Sequence, residues 1–368
     1  MTQKLFFLIL FLEGCLLKVS SQQPIIIGHT STDLNMVPLE YVNEAKSTMK
    51  VWYGHTSHGS QITSGIDNLQ NHIGEPYTFN PEGSGGALSY QERTDVDLGS
   101  NGDTSWAQIT RQVLNDPAND RNVIVWSWCG GVSTNTVDGI NVYLTKMSEL
   151  ETNYPDVKFV YMTGHLDIWS YSTLKARNQQ IRDYCNSNNK ILFDFADIES
   201  YNPDAQFFDF ATDNCDYYSD PSGTQLLGNW ADEWCSAYPS SDLCWSCYCA
   251  HSKSLNCNLK GRAFWWLMAR MAGWEGPLGV QETPLQNGRL NCWFSNECIY
   301  ISLNLPSESV ISIRLFDVTG KEVSEIAEKF ILEKQQIVIP GTSLQKGFYL
   351  ILLSDNHNSC FAGEFLVN

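Results

Sequence analysis

Four apolar runs of strand length alternate with helical periods and fix the layout of most of this chain. Residues 49–53 (Met-Lys-Val-Trp-Tyr) read as a buried strand that runs into Gly54-His55-Thr56-Ser57-His58-Gly59-Ser60. Behind it Ile62, Ile66, Leu69 and Ile73 keep the spacing of one helical face. Residues 122–128 form a second strand that ends at Cys129-Gly130-Gly131, and 157–162 a third that ends at Thr163-Gly164-His165. A fourth strand spans 190–195, residues 94–102 read as loop, and 104–114, 137–152 and 174–186 read as helices. The last helix, 259–271, is closed by Gly273 as its C-terminal cap. Strands alternating with helices predict a parallel sheet covered by helices on both faces. Ligands of such sheets bind beyond the carboxyl ends of the strands, where Ser57, Gly130 and His165 fall.

The termini and the charge narrow the setting. A basic start, an apolar stretch over 5–17 and the small residues Val19-Ser20-Ser21 before Gln22 predict a secretory signal peptide over 1–21. With 23 Lys+Arg against 41 Asp+Glu the chain carries −18, which argues against nucleic acid as a partner. Beyond Cys15 there are eleven cysteines, five of them between Cys235 and Cys257, and outside the cytoplasm such crowding predicts disulfides. Cys244-x-x-Cys247 with Cys249 and His251 is the competing zinc pattern, without a second clean pair. The odd count leaves room for a free thiol, and spacing does not fix the pairing.

Past Trp274 the pattern changes. Residues 277–290, with Pro277 and Pro284, read as a linker, and 291–368 as short strands and turns, a β-sandwich. The run Ile311-Ser312-Ile313-Arg314-Leu315-Phe316-Asp317-Val318-Thr319-Gly320-Lys321-Glu322-Val323 is similar to the C-terminal sorting domain of the bacterial type IX secretion system. Leu344-Gln345-Lys346-Gly347-Phe348-Tyr349-Leu350 and the terminal Phe365-Leu366-Val367-Asn368 fit the same pattern, whereas Cys360 does not belong to it. The resemblance implies handling by the type IX machinery and delivery outside the cell or to its outer surface.

Function is then expected in residues 22–276. Ser57, in His55-x-Ser57-x-Gly59 at a strand-to-helix turn, has the placement of a nucleophile, although a serine there also serves as an ordinary helix cap. His251, just before the last helix, is the candidate base. This order resembles the SGNH hydrolases, in which the nucleophilic serine follows the first strand and the histidine precedes the last helix. The fold class implied is α/β, a three-layer parallel sheet of SGNH or flavodoxin-like type, followed by the C-terminal β-sandwich. The resemblance implies a secreted serine ester hydrolase needing no cofactor and no metal. Ser57, His251 and Asp167 would be its catalytic residues, Gly99 and Gly130 the oxyanion donors, and His55, His165 and Trp128 the substrate contacts.

The chain departs from that family at several places. His55-Thr56-Ser57 stands for the usual Gly-Asp-Ser, no Gly-x-Asn-Asp follows the second strand, and Tyr248 occupies the position of the usual aspartate. Asp242, Asp167 and Asp194 are the candidate partners of His251, with Asp167 nearest His165 in sequence. Trp52, Trp106, Trp126, Trp128 and Trp169 suggest a sugar-stacking platform, so acetyl esters of polysaccharide are the expected substrate. Two rivals stand beside this reading. One is a glycan-binding or surface module without turnover; the other is a metal-dependent hydrolase using His55, His58, His165 and Asp167.

Overall fold

The structure, a computed structural model, describes residues 23–277 and the segments 291–295, 298–304, 309–317, 321–331, 334–340, 344–355 and 360–367. The expected signal peptide and residues 278–290 of the expected linker lie outside the described residues, as do Val318, Thr319 and Gly320 of the sorting motif. The chain divides into two compact units, one ending at Pro277 and the other beginning at Leu278.

The first unit is an α/β domain. Its elements run β1 (Ile25–Ile27), α1 (Leu39–Thr48), β2 (Lys50–Gly54), α2 (Ser60–His72), β3 (Phe79–Asn80), β4 (Leu88–Arg93), α3 (Ser105–Leu114) and β5 (Val123–Trp126). They continue with α4 (Val137–Asn153), β6 (Lys158–Met162), α5 (Tyr171–Ser187), β7 (Ile191–Phe193), α6 (Phe195–Glu199), β8 (Asp216–Tyr218), β9 (Leu226–Asn229), α7 (Trp230–Ala237) and α8 (Ser254–Met271). Seven strands form one parallel sheet in the order β1-β7-β6-β5-β2-β4-β3. The four strands expected from sequence are β2, β5, β6 and β7. β1, β3 and β4 are additions at the flanks, and β4 escapes a hydrophobic reading because it ends in Gln91-Glu92-Arg93.

The chain leaves β2 toward β4 on one side and later returns to lay β5 on the other. That reversal is the switch point at which α/β sheets open a crevice. Gly54 pairs with Trp126 at the carboxyl ends of the two strands, so the loops that follow them emerge side by side.

Helices α1 and α2 pack with α8, while α3, α4 and α5 pack with one another in sequence. The α2–α8 crossing is close because glycines meet there. A Cβ on Gly65 would lie 2.0 Å from the Cys257 carbonyl oxygen, and one on Gly261 would lie 2.3 Å from the Gly65 backbone. Helix α8 is buried nearly all round, its first half carrying polar and charged side chains and its second half mostly apolar ones. Phe264, Trp265, Trp266, Leu267 and Met268 are all buried. Among the described residues no helix is long and apolar enough to cross a membrane.

The second unit has two antiparallel sheets. One is β10 (Asn291–Ser295), β11 (Cys298–Asn304) and β14 (Lys334–Pro340); the other is β13 (Glu322–Ile331), β12 (Ser309–Asp317), β15 (Gly347–Asp355) and β16 (Cys360–Val367). Ile299, Ile301 and Ile339 of the first sheet share a small core with Ile313, Leu315, Ile351 and Leu353 of the second.

Candidate active site

The loop after β2 enters α2 and the loop after β5 lies beside it, held by the Ser127 N–H donating to the Gly54 carbonyl at 3.0 Å. Together they bring His58 and Cys129 into contact: His58 Nδ1 is 3.2 Å from Cys129 Sγ. The other ring nitrogen, Nε2, is 2.8 Å from Oδ2 of Asp213. Asp213 sits just before the β8–β9 hairpin, its N–H donating to the Leu166 carbonyl at 3.2 Å. Thiol, imidazole and carboxylate thus form one continuous chain, and Ser57 Oγ closes on Cys129 Sγ at 3.2 Å.

The electrostatics follow from these contacts. The hydrogen bond from His58 lowers the Cys129 thiol to about 6 against the opposing effect of burial, with Ser57 and Thr56 adding to the shift. Burial alone would lower His58, but the bonds to Asp213 and Cys129 outweigh it and raise the imidazole to about 9. Burial would raise Asp213, yet His58 holds its carboxyl below the ordinary aspartate range. At neutral pH the pair is therefore a thiolate beside an imidazolium, the form in which sulfur is nucleophilic.

Two more imidazoles enclose His58. The His165 ring stacks on it at 3.7 Å and 3°, and the His251 ring at 4.2 Å and 11°. His165 is buried and donates from Nδ1 to the Leu166 carbonyl at 2.8 Å. Burial and the neighbouring His58 charge push its pKa down, which keeps it neutral in the stack. His251 takes a left-handed backbone conformation, φ 62°, inside a turn tied to α8 by the Cys249–Cys257 disulfide. A second disulfide joins Cys235 to Cys244, so the zinc pattern through Cys244 and Cys249 does not form. Cys247 and Cys129 are free thiols.

The residues singled out from sequence meet only in part. Ser57, His165 and His251 do converge, but Ser57 Oγ bonds to Cys129 and the His251 ring lies over the face of His58. Asp167 caps the turn that follows it, accepting from the Trp169 N–H at 2.9 Å, and lines a separate cavity with Lys175, Arg182 and Asp197. Gly99 is not an open oxyanion donor, because its N–H donates to Asp97 Oδ1 at 2.7 Å. Gly130, φ 79°, does border the thiol in sequence. His55 is turned inward, with Nε2 2.7 Å from Glu92 and Nδ1 3.0 Å from the Thr56 carbonyl.

Trp128 is a core residue whose Nε1–H donates to the Met162 carbonyl at 2.9 Å. Trp52, Trp106 and Trp126 are buried with it, which leaves Trp169, 75% exposed, as the one surface ring of the expected platform. The sequence reading did not single out Cys129 or Asp213, and it weighed His58 only as a ligand of the metal-dependent rival. Cys129 carried a signal: it stands at a strand end beside two glycines, far from the crowded cysteines.

His58, His165 and Asp213 also lie close enough to one another to be weighed as metal ligands. The stack argues against that use. An ion about 2 Å from a nitrogen in the plane of one ring stands well out of the plane of the other, so one ring would have to turn.

Comparisons with known proteins bear on the second unit. Residues 295–363 match the family described as secretion system C-terminal sorting domain. The chain thus carries the type IX sorting domain expected from sequence, engages the type IX machinery, and is secreted or placed at the cell surface. No curated protein matches the chain.

Among solved structures, an immunoglobulin-like β-sandwich protein of the DUF3244 family from Bacteroides vulgatus is 16% identical, with a TM-score of 0.18. That match covers 22% of this chain and 84% of the other. Pectate lyase Pel3 from Pectobacterium carotovorum is 13% identical over 22% of this chain and 26% of its own, at a TM-score of 0.17. An engineered protein matches over 84% of this chain and 60% of its own at 8% identity, with a TM-score of 0.19. None of these likenesses is close enough to carry an argument about fold or activity.

Proposed function

We propose that the first unit is a secreted hydrolase that works by acyl transfer through Cys129, with His58 as acid–base and Asp213 as its orienting partner. One observation carries the reading: the chain Cys129 Sγ–His58–Asp213, at 3.2 and 2.8 Å, at the switch point of the sheet. The Cys129 thiolate adds to the carbonyl carbon of an ester, and the carbonyl π electrons move onto oxygen. Collapse of that tetrahedral adduct expels the alkoxide, which takes the proton from His58 Nδ1. The neutral imidazole then removes a proton from water, whose oxygen attacks the thioester. The acid leaves, and thiolate and imidazolium are restored.

Ser57 contributes a hydroxyl donor to the sulfur, and Gly130 is a candidate for holding the oxyanion. Acyl groups on a neutral polysaccharide remain the substrate class. The exposed Trp169 near the His165 loop and the strongly acidic chain both favour such a polymer over an anionic one.

The SGNH-type assignment, with Ser57 as nucleophile and His251 as base, is the second reading, favoured by the convergence of those residues on the same crevice. p-Nitrophenyl acetate and acetylated xylan separate the two. We expect Cys129→Ala to abolish hydrolysis and Ser57→Ala to reduce it only about tenfold. A dead Ser57→Ala beside an active Cys129→Ala would establish the serine enzyme instead. Background rates in the parent protein on both substrates would favour a binding module. Loss of parent activity on chelation, restored by zinc, would favour the metal-dependent reading.

A further inference from the structure

Beneath the site lies an ion pair with no access to water. Lys260 and Glu199 are each fully buried, their side chains 2.5 Å apart, and the ammonium rests 3.7 Å from the centroid of the Phe195 ring. Removing two charges from water costs several kcal/mol per ion, and their attraction seldom returns more than that. A pair so placed is better explained by what its other hydrogen bonds hold.

Those bonds run to the loops of the active site. Glu199 Oε2 accepts the Leu166 N–H at 2.6 Å. The carbonyl of that same residue accepts from the Asp213 N–H at 3.2 Å and from His165 Nδ1 at 2.8 Å. Lys260 also donates to Gln61 Oε1, and Gln61 Nε2 donates to the Ala250 carbonyl at 2.6 Å, next to His251. The carboxylate that orients His58 and the His165 ring are therefore tied to this pair through Leu166, and the backbone before His251 is tied to it through Gln61.

We propose that Glu199 is a positioning residue: held by Lys260, it fixes the Leu166 peptide and through it the Asp213–His58 arm of the site. The inference rests on the reading of Cys129 as the nucleophile. The Glu199 charge also favours the protonated His58 imidazole, but Lys260 beside it offsets that charge, and what the pair adds is the reach of its hydrogen bonds. The titratable and charged groups facing Cys129 and His58 are Asp213, His165, His251 and this pair.

Two variants of the full-length protein separate reach from charge. Glu199→Asp keeps the charge but draws the carboxylate back by one carbon–carbon bond, ~1.5 Å. Glu199→Gln with Lys260→Met keeps the reach and removes both charges. The readout is the rate at which iodoacetamide alkylates Cys129, followed by peptide mass spectrometry from pH 5 to 9, with a thermal melt for each variant. We expect Glu199→Asp to slow alkylation at pH 5 by about tenfold, the effect of one unit of thiol pKa well below its midpoint. The Gln/Met pair should stay within about twofold of the parent.

The reverse pattern, or parental rates in a Glu199→Asp protein with a lowered melting temperature, would overturn the proposal. Should Glu199→Asp not fold, the Gln/Met pair decides alone: retained reactivity supports the positioning role, and a tenfold loss sinks it. A parent whose Cys129 titrates as an ordinary thiol would overturn the reading of the site itself, a different result from either.

Discussion

Two histidine–aspartate pairs stand beyond the carboxyl ends of the same sheet, and only one of them faces a thiol. Near β1 and β7, His29 Nδ1 meets Asp197 Oδ2 at 2.7 Å; near β2 and β5, His58 Nε2 meets Asp213 Oδ2 at 2.8 Å. The first pair folds on itself. Asp197 also takes the His29 backbone N–H at 2.8 Å, and the ring stacks on Tyr201 at 3.5 Å. Arg182 binds the neighbouring Asp194 with both ends of its guanidinium, at 2.6 and 2.8 Å. The second pair keeps its remaining nitrogen for Cys129. A histidine held by a carboxylate is common structural hardware, and what the opposite nitrogen meets decides whether it does chemistry.

The largest effect that would break this contrast is at the sulfur itself. Cys129→Ala should lower kcat on p-nitrophenyl acetate by on the order of 10⁶-fold, the loss expected for a nucleophile. Next come the two aspartates, tested side by side. Asp213→Asn should cost about 10²–10⁴-fold in kcat by leaving His58 misoriented. Asp197→Asn should leave kcat near the parental value and cost about 1–3 kcal/mol of stability in urea unfolding. A catalytic collapse in Asp197→Asn would mean that the two pairs are not different in kind.

The pH profile sharpens the contrast further. Activity requires thiolate and imidazolium together, so kcat/KM should rise as pH passes about 6 and fall as it passes about 9. The stability linkage follows the same signs. The raised His58 stabilises fully below its unfolded value, ~6.5, and that contribution is lost as pH rises through about 9. The lowered Cys129 stabilises above its unfolded value, ~8.5, and loses that contribution as pH falls through about 6. Melting temperatures of the parent and of Cys129→Ala, compared across pH 5–10, check this.

The smallest expected effects belong to the residues around the pair. Ser57→Ala should reduce kcat/KM about tenfold, roughly the worth of one hydrogen bond to a charged group, and move the acid limb upward. His251→Ala should cost no more than that, because the ring covers His58 rather than receiving a proton from Ser57.

Much of the fold was readable because hydrophobic period and strand-end glycines survive in the local sequence. The β2, β5, β6 and β7 runs are apolar on both faces, as strands in the middle of a covered sheet must be. The flanking strands were not readable: β4 ends in charges, and β1 is three isoleucines at the start of the described chain. The site was half readable. Strand order placed the loops of Ser57, Cys129 and His165 together, yet spacing does not reveal which side chain turns inward. His55 and His58 look alike in sequence, and they part only because Glu92 takes the first and Asp213 the second. Asp213 comes from the loop before the β8–β9 hairpin, 155 residues from His58, with no local pattern to mark it.

The same long reach gives the thiol a history. His58 and Cys129 are 71 residues apart and come from opposite sides of the chain reversal, so neither half of the sheet can acidify the sulfur by itself. An unfolded chain carries an ordinary cysteine, mostly protonated at neutral pH. Folding makes it reactive, and the acidity of Cys129 serves as a chemical clock that starts when the sheet is complete.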